Sequence, residues 1–267
     1  MKKNRLPIGI FDSGLGGLTV LKELQKEFPN ESFIYIGDTA HLPYGNKSKK
    51  AIINYSEQIS KYLVDQGVKL IIVACNTASS VALKSLKLKF NIPIIDVITP
   101  IKNTIIQKEK ISRIGVIGTY NTIESNAYYK TLKDIDQNLK IFQQACPLFV
   151  PIIEEGLHED LIAHLAIKKY LTNILNHNIQ LLILGCTHYP LIKHTIQHNI
   201  PPNIQIIDSA TAISTYLRQY LANNKLLCLE KIQQNQIIIT DEAENFQQLA
   251  LRILNTKNLD IKIIHIT

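Results

Sequence analysis

The sequence predicts an α/β protein whose parallel strands lie buried between layers of helix. Three observations carry that prediction. Short runs rich in Ile, Val and Leu alternate with amphipathic stretches through nearly all of the 267 residues. The runs are apolar at successive positions, the pattern of strands covered on both faces. One device occurs twice: an apolar run ending in a single cysteine and followed at once by small polar residues. It reads LIIVACNTASS from Leu70 to Ser80 and LLILGCTHYP from Leu181 to Pro190.

In chain order, strands are expected at LPIGIF, SFIYIG, LIIVA, PIID, RIGVIG, KIFQQA, LLILG, IQIID, QIIIT and IKIIHI. Amphipathic helices are clearest from Gly17 to Phe28, Lys49 to Gln66 and His158 to Asn176. No Gly/Ser linker divides the chain, and the repeated cysteine device points to two similar, doubly wound halves. Boundaries are expected after strands, near Val97 and Ile207. Residues 1–97 and 208–267 then form a first, discontinuous domain and residues 98–207 a second. In such folds ligands gather at the carboxyl ends of strands.

A hydrophobic content of 46% over this length is enough for substantial cores. The net charge of +7 is compatible with nucleic acid or small anions. The basic residues are scattered, however, and the densest clusters, Asn46 to Lys50 and Lys84 to Lys89, read as solvated helix faces. No nucleic-acid partner is expected. The apolar stretch of MKKNRLPIGIFD is too short for a leader and is interrupted by Asp12. No run approaches the roughly 20 residues of a membrane span, so no membrane partner is expected either. Four cysteines in a chain this long do not form a disulfide framework and suit a reducing, cytoplasmic setting.

Cys75 and Cys186 share a local position, after a buried strand and before an expected helix start. Asn76, Thr77 and Ser79 are cap-type residues after Cys75, and Thr187 with Pro190 plays that part after Cys186. A thiol there meets free backbone N–H groups and the positive end of the helix dipole, which is expected to lower its pKa from about 8.5. Small cysteines also end strands for packing reasons. That is the reading for Cys146, before Pro147, and for Cys228, within KLLCLE. Cys75 and Cys186 are 186 − 75 = 111 residues apart, so they form no CxxC motif. His188 follows Cys186 closely, but no further ligands assemble for a metal. Two equivalent acid/base groups on facing strand ends suit a reaction that takes a proton from one face of a carbon and returns one to the other. That is racemisation.

The opening IGIFDSGLGGLTVLKEL reads as strand, tight turn and helix. Gly14, Gly16 and Thr19 fall close to GxGxxG, and Asp38 ends the next strand where a ribose-binding acid would sit. Thr19 in place of the third glycine and the charge of Asp12 beside the turn weigh against a dinucleotide, as does the lack of a hydride-transfer constellation. The other use of the turn is anion capture. Backbone N–H groups and Ser13 would hold a carboxylate, with Asp12 reaching toward an ammonium or a thiol.

The segments GIFDSGLGGLTVL, IGDTAHLPYGNKS, VACNTASS, VPIIEEG and LGCTHYPLI, in that order, resemble the glutamate racemase family. The likeness runs from about Pro7 to Ser214. It implies two α/β domains with the active site in the cleft between them. It also implies cofactor-independent interconversion of L- and D-glutamate for peptidoglycan, a cytoplasmic location and a homodimer. By resemblance Cys75 and Cys186 are the catalytic acid/base pair, Asp12 assists Cys75, and His188 with Glu154 assists Cys186. Asp12, Ser13, Tyr44, Gly45, Asn76, Thr77, Thr187 and His188 would hold the substrate. Thr119 and Thr122, in GTYNT, match further carboxylate-contacting positions.

Taken alone, Glu154 reads as a solvated acid at a helix start, Tyr44 as a turn residue over core, and His188 as a hydrogen-bonded turn histidine. Ala210 in IDSATA stands where the family usually has glycine, and DVITP is polar where it often has glycine. Both departures are expected to alter loops without touching a chemical residue. No lysine has a convincing Schiff-base context. With no cofactor and no metal, developing charge would be met by donors such as Ser13, Asn76, Thr77 and Thr187. Two alternatives share parts of this pattern: an aspartate racemase or other cofactor-independent amino-acid racemase, and an amino-acid-binding sensor module without chemistry.

Overall fold

Each of the ten apolar runs forms a strand, and every strand pairing is parallel. The computed structural model describes residues 3–108, 111–230, 234–242 and 246–266. The strands are β1 (Ile8–Asp12), β2 (Phe33–Gly37), β3 (Leu70–Val73), β4 (Ile94–Asp96) and β5 (Arg113–Gly118). They continue with β6 (Lys140–Ala145), β7 (Leu181–Gly185), β8 (Gln205–Asp208), β9 (Gln236–Ile239) and β10 (Ile261–Ile263). One sheet has the order β10-β9-β2-β1-β3-β4 and the other β6-β5-β7-β8. Both are wound in two directions from a central strand. The order reverses between β1 and β3 in the first sheet and between β5 and β7 in the second. A parallel sheet opens a crevice at such a point, at the carboxyl ends of its strands.

Side-chain alternation divides each sheet between two cores. Ile8, Ile10, Leu70 and Ile72 enter one core of the first sheet, while Phe11, Ile71 and Val73 enter the other. In the second sheet Leu182 and Leu184 face one core and Leu181 and Ile183 the other. This two-sided burial is why the runs are apolar throughout rather than at alternate positions. The helix Ser209–Asn223 returns the chain to the first sheet and buries Ile213, Leu217 and Leu221 in one of its cores, while Ala212 reaches a core of the second.

The clearest helices form where the periodicity places them. They are α1 (Leu18–Glu27), α2 (Lys49–Asp65) and the helix Leu161–Leu175. Ser48 caps α2 by accepting from Ala51 N at 3.2 Å, and Asp160 caps Leu161–Leu175 by accepting from Ile162 N at 3.1 Å. Among the described residues no helix is long and apolar enough to cross a membrane.

Candidate active site

The two switch points face a common cavity of about 150 Å³. That is on the order of a cavity that admits one small molecule such as benzene, and far too small for a dinucleotide. Ser13, after β1, and Cys75, after β3, line it from the first sheet. Thr119, after β5, and Cys186, after β7, line it from the second. Tyr44, Gly45, Asn76, Thr77, Glu154, Thr187 and His188 complete the set of expected residues on its wall. The other two expected residues stand behind the wall. Asp12 is fully buried, and Thr122 is buried against Thr119, their hydroxyls 3.0 Å apart.

Cys75 is itself the N-cap of α3 (Asn76–Val81), its Sγ accepting from Ala78 N at 3.4 Å. Asn76, Thr77 and Ser79 therefore lie inside the helix, not at its cap as the sequence suggested. The Cys75 thiol is also within hydrogen-bond reach of Ser13 Oγ, at 3.6 Å. The expected lowering of its pKa does not occur. Burial, and then the negative charge of Asp12, push the thiol up to about 12 against the smaller pull of the Ala78 and Ser13 bonds. One short helix end cannot offset full desolvation beside a carboxylate.

The surroundings of Cys186 differ. The chain beyond it enters a 3-10 turn, Tyr189–Ile192, that leads into the helix Lys193–His198, rather than starting a helix at Thr187. Cys186 Sγ lies 3.8 Å from His188 Nδ1, and His188 Nε2 lies 3.0 Å from Glu154 Oε1. Burial drives the His188 pKa down. The hydrogen bonds and negative charges of Cys186 and Glu154 overcome that and raise it to about 10. His188 is thus an imidazolium held between a sulfur and a carboxylate. Glu154 ends the helix Phe149–Glu154 instead of starting one. Its place at the end of that helix turns it toward His188.

Asp12 closes β1. Its Oδ2 accepts from Gly14 N at 2.9 Å, and its Oδ1 accepts from the Thr187 hydroxyl at 3.2 Å. The second bond joins the two sheets. Thr19, the residue that breaks the glycine fingerprint, faces the Thr187 carbonyl with its hydroxyl at 2.9 Å and forms a second such tie. The glycines serve close packing. A Cβ on Gly16 would lie 2.4 Å from both His188 Nδ1 and Thr187 Oγ1, and one on Gly14 would lie 2.3 Å from Leu42 Cδ2. Asp38 is engaged within its own neighbourhood. It accepts from Tyr44 OH at 2.6 Å and Thr240 Oγ1 at 2.8 Å, and His41 Nδ1 sits 2.9 Å away. The Tyr44 phenol is thereby committed to Asp38, while Tyr44 lines the cavity.

Thr77 Oγ1 lies 2.9 Å from Thr119 Oγ1, a hydroxyl pair that crosses from α3 to the second sheet. Asn76 Nδ2 donates to Tyr128 OH at 2.7 Å and Ser209 Oγ at 2.8 Å, and Asn76 Oδ1 is buried without a partner. Ser209 stands beside Ala210, so the IDSATA segment brings a hydroxyl to Asn76. Tyr128, Ser209 and Asn121 escaped the sequence reading. Local pattern gives them no role, because their partners lie many residues away. Among the described residues no group of three or more His, Cys, Asp or Glu side chains is placed to hold a metal ion.

Known proteins resemble this chain in sequence and in fold. The family model for Asp/Glu/hydantoin racemase matches residues 17–217. Glutamate racemase of Sulfurihydrogenibium sp. (strain YO3AOP1) is 47% identical over 245 residues, covering 91% of this chain and 92% of that protein. Glutamate racemase of Persephonella marina (strain DSM 14350 / EX-H1) is 47% identical over 244 residues, covering 91% of this chain and 92% of that protein. Among solved structures, glutamate racemase from Francisella tularensis subsp. tularensis SCHU S4, crystallised in complex with D-glutamate, superposes with a TM-score of 0.91 at 39% identity, covering 98% of each chain. With matches of this extent, and with paired switch points facing one cavity, the chain belongs to the Asp/Glu/hydantoin racemase family and is an isomerase of its glutamate racemase branch.

Proposed function

We propose that the protein interconverts L- and D-glutamate by a two-base mechanism, with Cys186 and Cys75 acting on opposite faces of the α-carbon. One observation carries the reading. Two cysteines from different sheets line a single cavity, and each has its own proton-managing neighbours. His188 and Glu154 stand behind Cys186, and Asp12 and Ser13 beside Cys75. The two environments also differ in charge. The imidazolium of His188 faces Cys186, while burial and Asp12 keep Cys75 a thiol.

In one direction the Cys186 thiolate removes the α-proton and the C–H electron pair stays on carbon, delocalised toward the carboxylate. The Cys75 S–H then protonates the carbon from the other face, leaving a Cys75 thiolate and a Cys186 thiol. The reverse direction starts from those exchanged states; an enzyme resting with Cys75 protonated and Cys186 deprotonated reaches them when Asp12 takes the Cys75 proton and His188 gives one to Cys186. The substrate carboxylates would be held by Ser13, the backbone at Tyr44–Gly45, and the hydroxyls of Thr77, Thr119 and Thr187, with Thr122 supporting Thr119 from behind the wall. The free Asn76 Oδ1 would receive the ammonium, with the charge of Asp12 acting from behind the wall and His188 also lining the site. Preorganised donors of this kind stabilise the carbanion.

The same proposal takes residues 1–97 with 208–267 as one domain and 98–207 as the other. Their four free cysteines suit a reducing cytoplasm, where D-glutamate would feed peptidoglycan synthesis, and a homodimer is the expected assembly. The test is incubation of L-glutamate in heavy water, followed by circular dichroism and by mass analysis of the α-position. Racemisation with α-deuterium in the product supports the reading. Binding without label would make the protein a sensor, and faster turnover of L-aspartate than of L-glutamate would move the substrate.

A further inference from the structure

Asn121, between the two threonines of GTYNT, makes two hydrogen bonds to a loop that lines the cavity. It sits on the helix Tyr120–Glu124, which follows β5 in the second sheet. Its Nδ2 donates to Tyr44 O at 3.0 Å and to Lys47 O at 2.9 Å. Both acceptors belong to the loop between β2 and α2, on the side of the first sheet. A carbonyl only accepts, so the amide has one workable orientation, with both N–H groups on the loop.

The loop forms cavity wall from Leu42 to Asn46. On its own side it is fixed by the Tyr44 phenol on Asp38 and by Lys47 N donating to Tyr44 O at 3.1 Å. Toward the second sheet Gly45 packs closely on Thr119, where an added Cβ would come within 3.2 Å of Thr119 Cβ. The Asn121 amide lies next to that contact and spans the same gap. Any motion that draws the loop from the second sheet must break both of its bonds at once.

We propose that Asn121 is a positioning residue that straps the 42–47 loop to the second sheet and so sets the placement of the Tyr44–Gly45 wall against the substrate. The substrate part of this inference rests on the racemase reading above, and the strap itself does not. The two bonds do not touch the reacting carbon. Losing them therefore weakens ground state and transition state alike, which appears in KM rather than in kcat.

The experiment compares wild type with Asn121→Asp and Asn121→Ala. The aspartate is isosteric but turns lone pairs toward both carbonyls. Hydrogen–deuterium exchange is followed by mass spectrometry on peptides covering residues 42–47, and initial rates are measured with L- and D-glutamate. Both variants should exchange at least about tenfold faster in that loop, with the rest of the chain unchanged. KM should rise about tenfold with kcat within about threefold. Unaltered exchange at 42–47 would overturn the strap. Faster exchange with unaltered KM would overturn its role in substrate placement. If the wild type fails to racemise glutamate, the racemase reading falls and exchange still decides the strap.

Discussion

At the residue scale the two cysteines are alike in position and unlike in chemistry. Cys75 has only a short helix end and a hydroxyl to set against burial and Asp12, whereas Cys186 faces an imidazolium backed by a carboxylate. Cys75→Ala and Cys186→Ala should each lower racemisation by about 10³-fold or more while circular dichroism shows an intact fold. Near-normal turnover by either variant would end the two-base account. The same contrast has a pH signature. His188 titrates near 10 in the folded protein against 6.5 ordinarily, so the folded state holds the extra proton between those values. Its contribution to stability is complete below about pH 6.5 and is lost as the pH rises through about 10. The raised Cys75 thiol acts in the same direction, its contribution present below 9.0 and lost toward about 12. The resistance of wild type to urea should therefore fall from about pH 7 to about pH 9.5, and His188→Asn should flatten that slope. An unchanged slope in the variant would refute the imidazolium assignment.

At the scale of elements, the turn between β1 and α1 shows how a glycine-rich segment can serve something other than phosphate. Gly16 lets the backbone approach the Thr187–His188 segment closely, and Thr19 and Asp12 hold that segment by hydrogen bonds. In Gly16→Ala the new methyl must push Thr187 or His188 aside, because it would meet both side chains at 2.4 Å. We expect a loss of about 1–3 kcal/mol in stability, measured by thermal unfolding. Turnover should fall about 100-fold, since a displacement of about 1 Å at a catalytic group has that order of cost. A variant as active as wild type would show that the contact does not position His188.

For the whole molecule, stability and chemistry sit at opposite ends of the first sheet. The site lies at the carboxyl ends of the strands, whereas Lys69, fully buried just before β3, lies at the other end. Its Nζ donates to Glu31 Oε2 at 2.5 Å and to the Asn4 and Leu226 carbonyls, each at 2.9 Å. Glu31 Oε1 accepts in turn from Cys228 N at 2.9 Å. This cluster ties the returning segment after Ser209–Asn223 to the base of the sheet. Lys69→Met leaves a buried carboxylate without its cation and should cost about 3–5 kcal/mol in urea denaturation. Its kcat should stay within about twofold of wild type, because no contact reaches the cavity. A larger loss of kcat in folded protein would show that the two ends of the sheet are coupled.

The sequence by itself determined the strands, the main helices and the two cysteine positions. Each of these is written in local pattern: apolar runs for strands buried on both faces, helical periodicity, and a cysteine at a strand end. The tertiary structure decided what no local pattern can hold. It set the strand orders that place Cys75 and Cys186 at two switch points, and it opposed the helix-end effect on Cys75 with burial and the charge of Asp12. It aimed Glu154 at His188 across 34 residues of chain and gave Asn121, Tyr128 and Ser209 their partners. Desolvation and long-range pairing depend on what surrounds a side chain in space, and that is fixed only when the two sheets close on one cavity.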